Sequence, residues 1–165
     1  MTTALLSQVI VNGLMLALIY ILTASGLSLI FSIMGIINFA HGEFYMLGAY
    51  ALFVFLEVLH FNFFASILAS MISLFFFGLL LERYFYRPFR DKHLTALVVS
   101  LGLAILIQHL TLIIKMRIWG LDDQAASSPF TGVFRVWGTV FSKERLLTVI
   151  MSAIVILLLH LFIKK

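Results

Sequence analysis

The 165 residues contain no cysteine, so a disulfide framework and a thiolate metal site are both excluded and the redox compartment leaves no mark on the chain. Charge is scarce as well: 11% of residues are Asp, Glu, Lys or Arg, against about 25% in soluble domains. No Lys or Arg precedes Arg83. A cleaved signal peptide needs a basic start, so the N-terminal apolar stretch is expected to be retained. The phosphate-cradling Gly-x-x-x-x-Gly-Lys-Ser/Thr loop is missing, as is the His-Glu-x-x-His helix of zinc hydrolases, so this sequence carries no signature of nucleotide hydrolysis or of a metal site.

What fills the chain is hydrocarbon. Hydrophobic residues make up 63% of it, above the roughly 45–50% of soluble domains, and the mean hydropathy is +1.16. No soluble core absorbs that much apolar surface, and the apolar residues come in blocks separated by charged punctuation, as bilayer spans do. The net charge of +4 is carried by short basic runs between those blocks, which fits membrane orientation better than nucleic-acid binding.

The expected fold class is therefore all-α: a single polytopic transmembrane domain over 1–165 with about five transmembrane helices and a broken, polar connection between the first two. The spans are placed at about 5–31, 44–60, 62–81, 94–114 and 143–162, with a cytoplasmic loop at 82–93 and a periplasmic loop at 115–142. Gly35 and Asn38 weaken the helix after the first span. The second span is short, about 25 Å at 1.5 Å per residue against a hydrocarbon core of about 30 Å. Small residues on the third, Ala65, Ala69 and Ser73 and again Ser66 and Ser70, let a neighbouring helix approach, while Phe63, Phe64, Phe75, Phe76 and Phe77 supply bulk. Val133 to Phe141 looks extended around a Gly turn, and Ser142 is suited to cap a final helix with Glu144 in its first turn. The basic run Arg83, Arg87, Arg90 and Lys92 is denser than the cations scattered over 115–145, which sets the N-terminus outside and the C-terminus inside.

The sharpest local feature is Asn38-Phe39-Ala40-His41-Gly42-Glu43-Phe44, a polar island between apolar segments. Ionisable groups at membrane depth are costly and tend to face a cavity or a pathway. Gly42 lets backbones approach, Asn38 and His41 offer donors and acceptors, and Glu43 at a helix start meets the positive end of the helix dipole. A transporter builds gates from such broken helices. Chemistry alone leaves a second reading open, in which 38–43 is a tight cytoplasmic turn with Glu43 solvated. A metal or hydrolytic site is disfavoured because His41 and Glu43, two apart, point to different sides of a helix. Among weaker signals, Ala24, Ser25, Ser28 and Ser32 read as a packing stripe and Gln108 and His109 as interhelical hydrogen-bonding groups. His160 lies at the end of the last span, Asn12 is ambiguous, and Ser100 is an internal polar group of the fourth.

Taken in order, Asn12 to Tyr20, Gly26 to Phe31, Ile37-Asn38-Phe39-Ala40-His41-Gly42-Glu43-Phe44-Tyr45-Met46-Leu47-Gly48-Ala49-Tyr50, Glu82-Arg83 and Tyr86-Arg87-Pro88-Phe89-Arg90 resemble the N-terminal pattern of the permease subunits of branched-chain amino acid ABC importers. Relatives of that family include urea and short-chain amide permeases. The resemblance covers nearly the whole chain and implies a multi-pass protein of the bacterial inner membrane that is not itself an enzyme. It implies pairing with a second permease subunit, delivery of substrate by a periplasmic substrate-binding protein, and drive from two cytoplasmic ATPase subunits. On this reading the chain binds no cofactor, since ATP is used by partner subunits, and no nucleic acid. Asn38, His41, Gly42 and Glu43 are then expected to shape or gate the translocation pathway. Family members continue past the position of Lys165 with a segment that engages the ATPase, so the chain is expected to be a fragment, a truncated product or one piece of a split permease. The competing reading is a non-transporting membrane scaffold or assembly subunit.

Overall fold

No charge and no proline falls between Thr2 and Met34, and the pairs Asn12-Gly13 and Ser25-Gly26 do not interrupt the first helix: α1 (Thr2–Met34) runs for 33 residues in the computed structural model. At 1.5 Å per residue that is about 50 Å, longer than a hydrocarbon core of about 30 Å. The structure describes residues 2–35, 37–89, 92–120, 125–130, 132–136 and 139–163. Arg90, Asp91, residues 121–124, Trp137, Gly138, Lys164 and Lys165 lie outside the described residues, and with them part of the loop and the Gly turn expected from the sequence.

α1 stops at Gly35, which adopts φ +67 and whose N–H reaches Phe31 O at 2.8 Å. A left-handed residue at this point costs glycine little and closes the last turn. α2 (His41–Phe53) then begins, and its winding loosens into a π turn over Val54–Val58. The chain reverses through His60, at φ 54, into α3 (Phe63–Leu81), whose first turn is capped by Asn62: its Oδ1 accepts from Ala65 N at 2.8 Å. The connection expected at 82–93 is partly helical. The helix continues as a π turn over Glu82–Tyr86 and a 3-10 turn over Arg87–Phe89, where Pro88 lacks the N–H needed to carry an α-helix on. α4 (His93–Ile118) ends with Lys115 and Arg117 in its last turn, where cations complement the helix dipole. Strands β1 (Val133–Val136) and β2 (Thr139–Ser142) pair antiparallel, Val133 opposite Ser142 and Val136 opposite Thr139. α5 (Lys143–Ile163) follows at once, with Glu144 in its first turn.

Among the described residues, four stretches are long and apolar enough to cross a membrane: Leu5–Ile33, Phe63–Phe89, His93–Ile118 and Lys143–Leu161. α2, with 13 α-helical residues, is the short member of the set. The fold is thus an all-α polytopic membrane protein carrying one small hairpin.

The chain divides into two compact units, one of residues 1–29 and 128–165, the other of residues 30–127. In the second unit the buried side chains are small or polar more often than they are large. Ala96, Ser100, Leu103 and Ile107 form one face of α4 at helical spacing, Ser66, Ser70 and Leu81 are buried on α3, and Ala40, Leu81, Tyr86, Leu103 and Ile107 cluster. Of the two small-residue stripes on α3, the one through Ser66 and Ser70 faces the protein and Ser73 is exposed. Phe77 packs on the core, whereas Phe64, Phe75 and Phe76 are exposed. Large apolar side chains turned outward are what a helix presents to lipid. α2 and α3 meet closely at Gly48, where an added Cβ would lie 3.1 Å from Leu74 Cδ1. At the far end of α2, Phe53 and Trp119 meet edge to face with ring centroids 5.4 Å apart.

Candidate functional site

The polar island after α1 folds around Asn38. Its side-chain Oδ1 accepts from Ala40 N at 3.0 Å, a local turn that asparagine favours, and its backbone O accepts from His41 N at 3.1 Å. The same Oδ1 accepts a 2.7 Å hydrogen bond from Tyr86 Oη, which comes from the π turn beyond α3. Asn38 is 9% exposed and Tyr86 5% exposed, so this is a buried polar contact between segments 48 residues apart. One residue on, Phe39 N donates to Ser100 Oγ at 3.3 Å on the buried face of α4. Ser100 Oγ also lies 2.8 Å from Leu97 O, the back-bond a serine makes within its own helix. Three elements therefore hold the non-helical residues 37–40: the start of α2, the π turn beyond α3 and the N-terminal half of α4.

α2 starts without a side-chain cap at Ala40; instead Ala40 O accepts from Glu43 N at 3.0 Å and Phe44 N at 3.3 Å. Glu43 stands in the first turn, as expected, where the exposed amides of a helix start favour a carboxylate. Asn38 and His41 line an open groove of about 350 Å³ together with Phe44, Gly78, Glu82 and Tyr86. Glu43 is not in its lining, consistent with two positions two apart on a helix facing different ways. Gly42 is exposed, and a Cβ there would meet nothing within 4 Å. The close backbone approach expected at Gly42 occurs within this chain at Gly48, because it is the Gly48 side of α2 that packs on α3.

Of the four residues singled out in the sequence, the structure brings Asn38 and His41 to one groove and leaves Gly42 and Glu43 on other sides of α2. The partners missed by sequence reasoning are Tyr86 and Glu82, which were assigned to a loop, and the hydroxyl of Ser100, which was noted as polar with no partner. A signal was present: Ala96, Ser100, Leu103 and Ile107 share one helical face, so a serine in that row is directed at protein. Gln108 and His109 are exposed, His109 Nδ1 lying 2.8 Å from Ile105 O, and both line a shallow groove with Met46 and Tyr50. Ser25 Oγ donates to Leu22 O at 2.7 Å inside α1, and Ser28 and Ser32 are exposed. Asn12 Oδ1 accepts from Arg145 at 3.1 Å. His160 is exposed in the last turn of α5.

The sequence of the chain is matched by known proteins. Residues 9–164 match the family described as branched-chain amino acid transport system / permease component. The chain belongs to this permease family. The high-affinity branched-chain amino acid transport system permease protein BraD of Pseudomonas aeruginosa is 31% identical over 172 residues, covering 96% of this chain and 55% of BraD. LivH, the corresponding permease protein of Salmonella typhimurium, is 34% identical over 134 residues, which is 76% of this chain and 42% of LivH. LivH of Escherichia coli K12 is 33% identical over the same length. The chain thus spans about half the length of the curated relatives it matches. No solved structure matches it. Permease components are parts of membrane-embedded transport complexes, and the resemblance read from the sequence is in this respect borne out.

Proposed function

We propose that this chain supplies the N-terminal part of the pathway-forming permease subunit of an ABC importer that carries branched-chain amino acids across the bacterial inner membrane. The subunit does no covalent chemistry on its cargo. It alternates between outward-open and inward-open forms, with the N-terminus outside and the helix break at 38–43 on the cytoplasmic side. Its partners on this reading are a second permease subunit, a periplasmic substrate-binding protein and two cytoplasmic ATPase subunits, which use the ATP; the chain itself holds no cofactor.

The observation that carries the proposal is the buried Tyr86–Asn38 hydrogen bond at 2.7 Å, which fixes the non-helical residues between α1 and α2 against the π turn beyond α3. Where that one amide and one hydroxyl meet, the break has two discrete arrangements available, bond made and bond broken, as a gate requires. His41 and Glu82 on the adjoining groove and Glu43 at the helix start give the break the polarity that a zwitterionic cargo needs in an otherwise apolar bundle.

The test is uptake of radiolabelled leucine by cells that lack their own systems and express the full-length permease with its binding protein and ATPases. Glu43→Gln and His41→Ala are each expected to lower the initial rate tenfold or more at normal membrane insertion. Unchanged uptake in both would remove these residues from the pathway. If an affinity-tagged permease brings down no ATPase, it is a scaffold and not an importer subunit.

A further inference from the structure

In the unit made of residues 1–29 and 128–165, a groove of about 140 Å³ lies between α1 and the start of α5, remote in sequence from the helix break. Its walls are two helical stripes. α1 contributes Asn12, Met15, Leu16 and Ile19, and α5 contributes Arg145, Thr148 and Val149. The floor is thus aliphatic, and one guanidinium, one amide and one hydroxyl stand at its polar side.

The polar side is organised by a relay. Gln8 pairs with the backbone of Val140 through both ends of its amide, Nε2 to Val140 O at 2.9 Å and Val140 N to Oε1 at 2.8 Å. Gln8 Nε2 also approaches Asn12 Oδ1 at 3.4 Å, and Arg145 Nη1 donates to that same oxygen at 3.1 Å. With its oxygen committed to these donors, Asn12 has its NH₂ left to offer. Arg145 has one of its five N–H groups in that bond and no carboxylate partner among the described residues. It also stands in the first turn of α5, where the positive end of the helix makes a cation unfavourable. Lys143, two residues earlier, is engaged elsewhere, over the Phe134 ring at 5.2 Å. A positioned, unneutralised guanidinium above an aliphatic slot fits a carboxylate attached to a short branched hydrocarbon. Cavities of about 150 Å³ hold a benzene-sized group, so a four-carbon side chain suits the space, and the planar fork of Arg matches carboxylate geometry.

We propose that this groove is a binding site for the cargo amino acid, with Arg145 and the Asn12 amide holding the carboxylate and Met15, Leu16, Ile19 and Val149 receiving the aliphatic side chain. The assignment of the ligand as an aliphatic amino acid rests on the importer reading above; the anion preference rests on Arg145 alone. The relay through Gln8 makes the site sensitive to how the β1–β2 hairpin sits on α1, since Val140 belongs to β2.

The test uses the full permease complex in nanodiscs of phosphatidylcholine, without ATP, and measures binding of labelled L-leucine with two competitors. Isovalerate keeps the carboxylate and the branched chain; leucinol lacks the carboxylate. Saturable leucine binding, displaced by isovalerate and not by leucinol, and weakened tenfold or more by Arg145→Gln and severalfold by Arg145→Lys, is the expected result. Unchanged binding in Arg145→Gln, or equal competition by leucinol, overturns the proposal. If the wild-type complex binds no leucine but co-purifies with phosphatidylglycerol that Arg145→Gln loses, the groove is a lipid phosphate site and the proposal also falls. Should Arg145→Gln fail to insert, Val149→Phe, which fills the floor, decides with the same readout. Uptake by the wild-type complex is measured in parallel: uptake with no binding at this groove sinks the site and leaves the importer reading standing, whereas no uptake at all sinks that reading.

Discussion

Tyr86 Oη and Asn38 Oδ1 are 2.7 Å apart and both residues are buried, so a long-range hydrogen bond between buried side chains falls on the helix break. A hydroxyl and an amide removed from water lose little when they find each other and much when one is left alone. Tyr86→Phe leaves Asn38 Oδ1 with the Ala40 N–H and is expected to cost about 1 kcal/mol, within the range for side-chain hydrogen bonds in membrane proteins. Unfolding of the detergent-solubilised permease, followed by circular dichroism, measures it.

Asn38→Ala removes both bonds and is expected to cost more than Tyr86→Phe, by about another 1 kcal/mol. The double variant should then be less damaging than the sum of the two, with a coupling of about 0.5–1 kcal/mol in a double-mutant cycle. Strict additivity would mean that the two side chains do not act on each other.

The tight contact of α2 on α3 gives a prediction of a different kind. Gly48→Leu places its Cβ 3.1 Å from Leu74 Cδ1 and the rest of the side chain deeper, which forces the helices apart at a cost of about 1–3 kcal/mol. Gly42→Ala, on the open side of the same helix, is expected to change stability by less than about 0.5 kcal/mol. Thermal melts of the two variants side by side check the contrast.

The short distance between these two glycines shows what the sequence carries. Only Gly42 was expected to admit a neighbouring backbone, because choosing between it and Gly48 needs the rotation of α2 about its axis, which an apolar helix with few polar marks does not reveal. The membrane class, the order of the helices, the hairpin and the position of the break were legible because each rests on a run: apolar length, extended β-branched residues, or a cluster of polar ones. The partners of Asn38 were not legible. Tyr86 lies in a run whose arginines spoke for an aqueous loop, yet Leu81 and Tyr86 are buried while Arg83 and Arg87 are exposed, as a helical continuation allows and a loop reading conceals. Charge counts along a segment average over faces, and here the faces differ.

At the other end of α2, Glu57 accepts from Ser127 N at 2.6 Å and ties the segment after α4 to the end of the π turn. Glu57→Ala frees that amide on an exposed surface. Global stability should shift by no more than about 1 kcal/mol, while limited proteolysis around residues 125–130 should accelerate severalfold. Equal cleavage rates would show that the segment is held by other contacts.

If the break at 38–43 gates transport as proposed, it moves between states, and these 165 residues carry no cysteine to compete with a thiol placed there. Gly42→Cys introduces one thiol at an exposed position of the break, in the full permease complex with its binding protein and ATPases. Its rate of reaction with a charged thiol reagent, read on the permease chain, is compared between the resting complex and the complex trapped with ATP and vanadate. A severalfold change in rate between the two states is predicted; the same rate in both would contradict the claim.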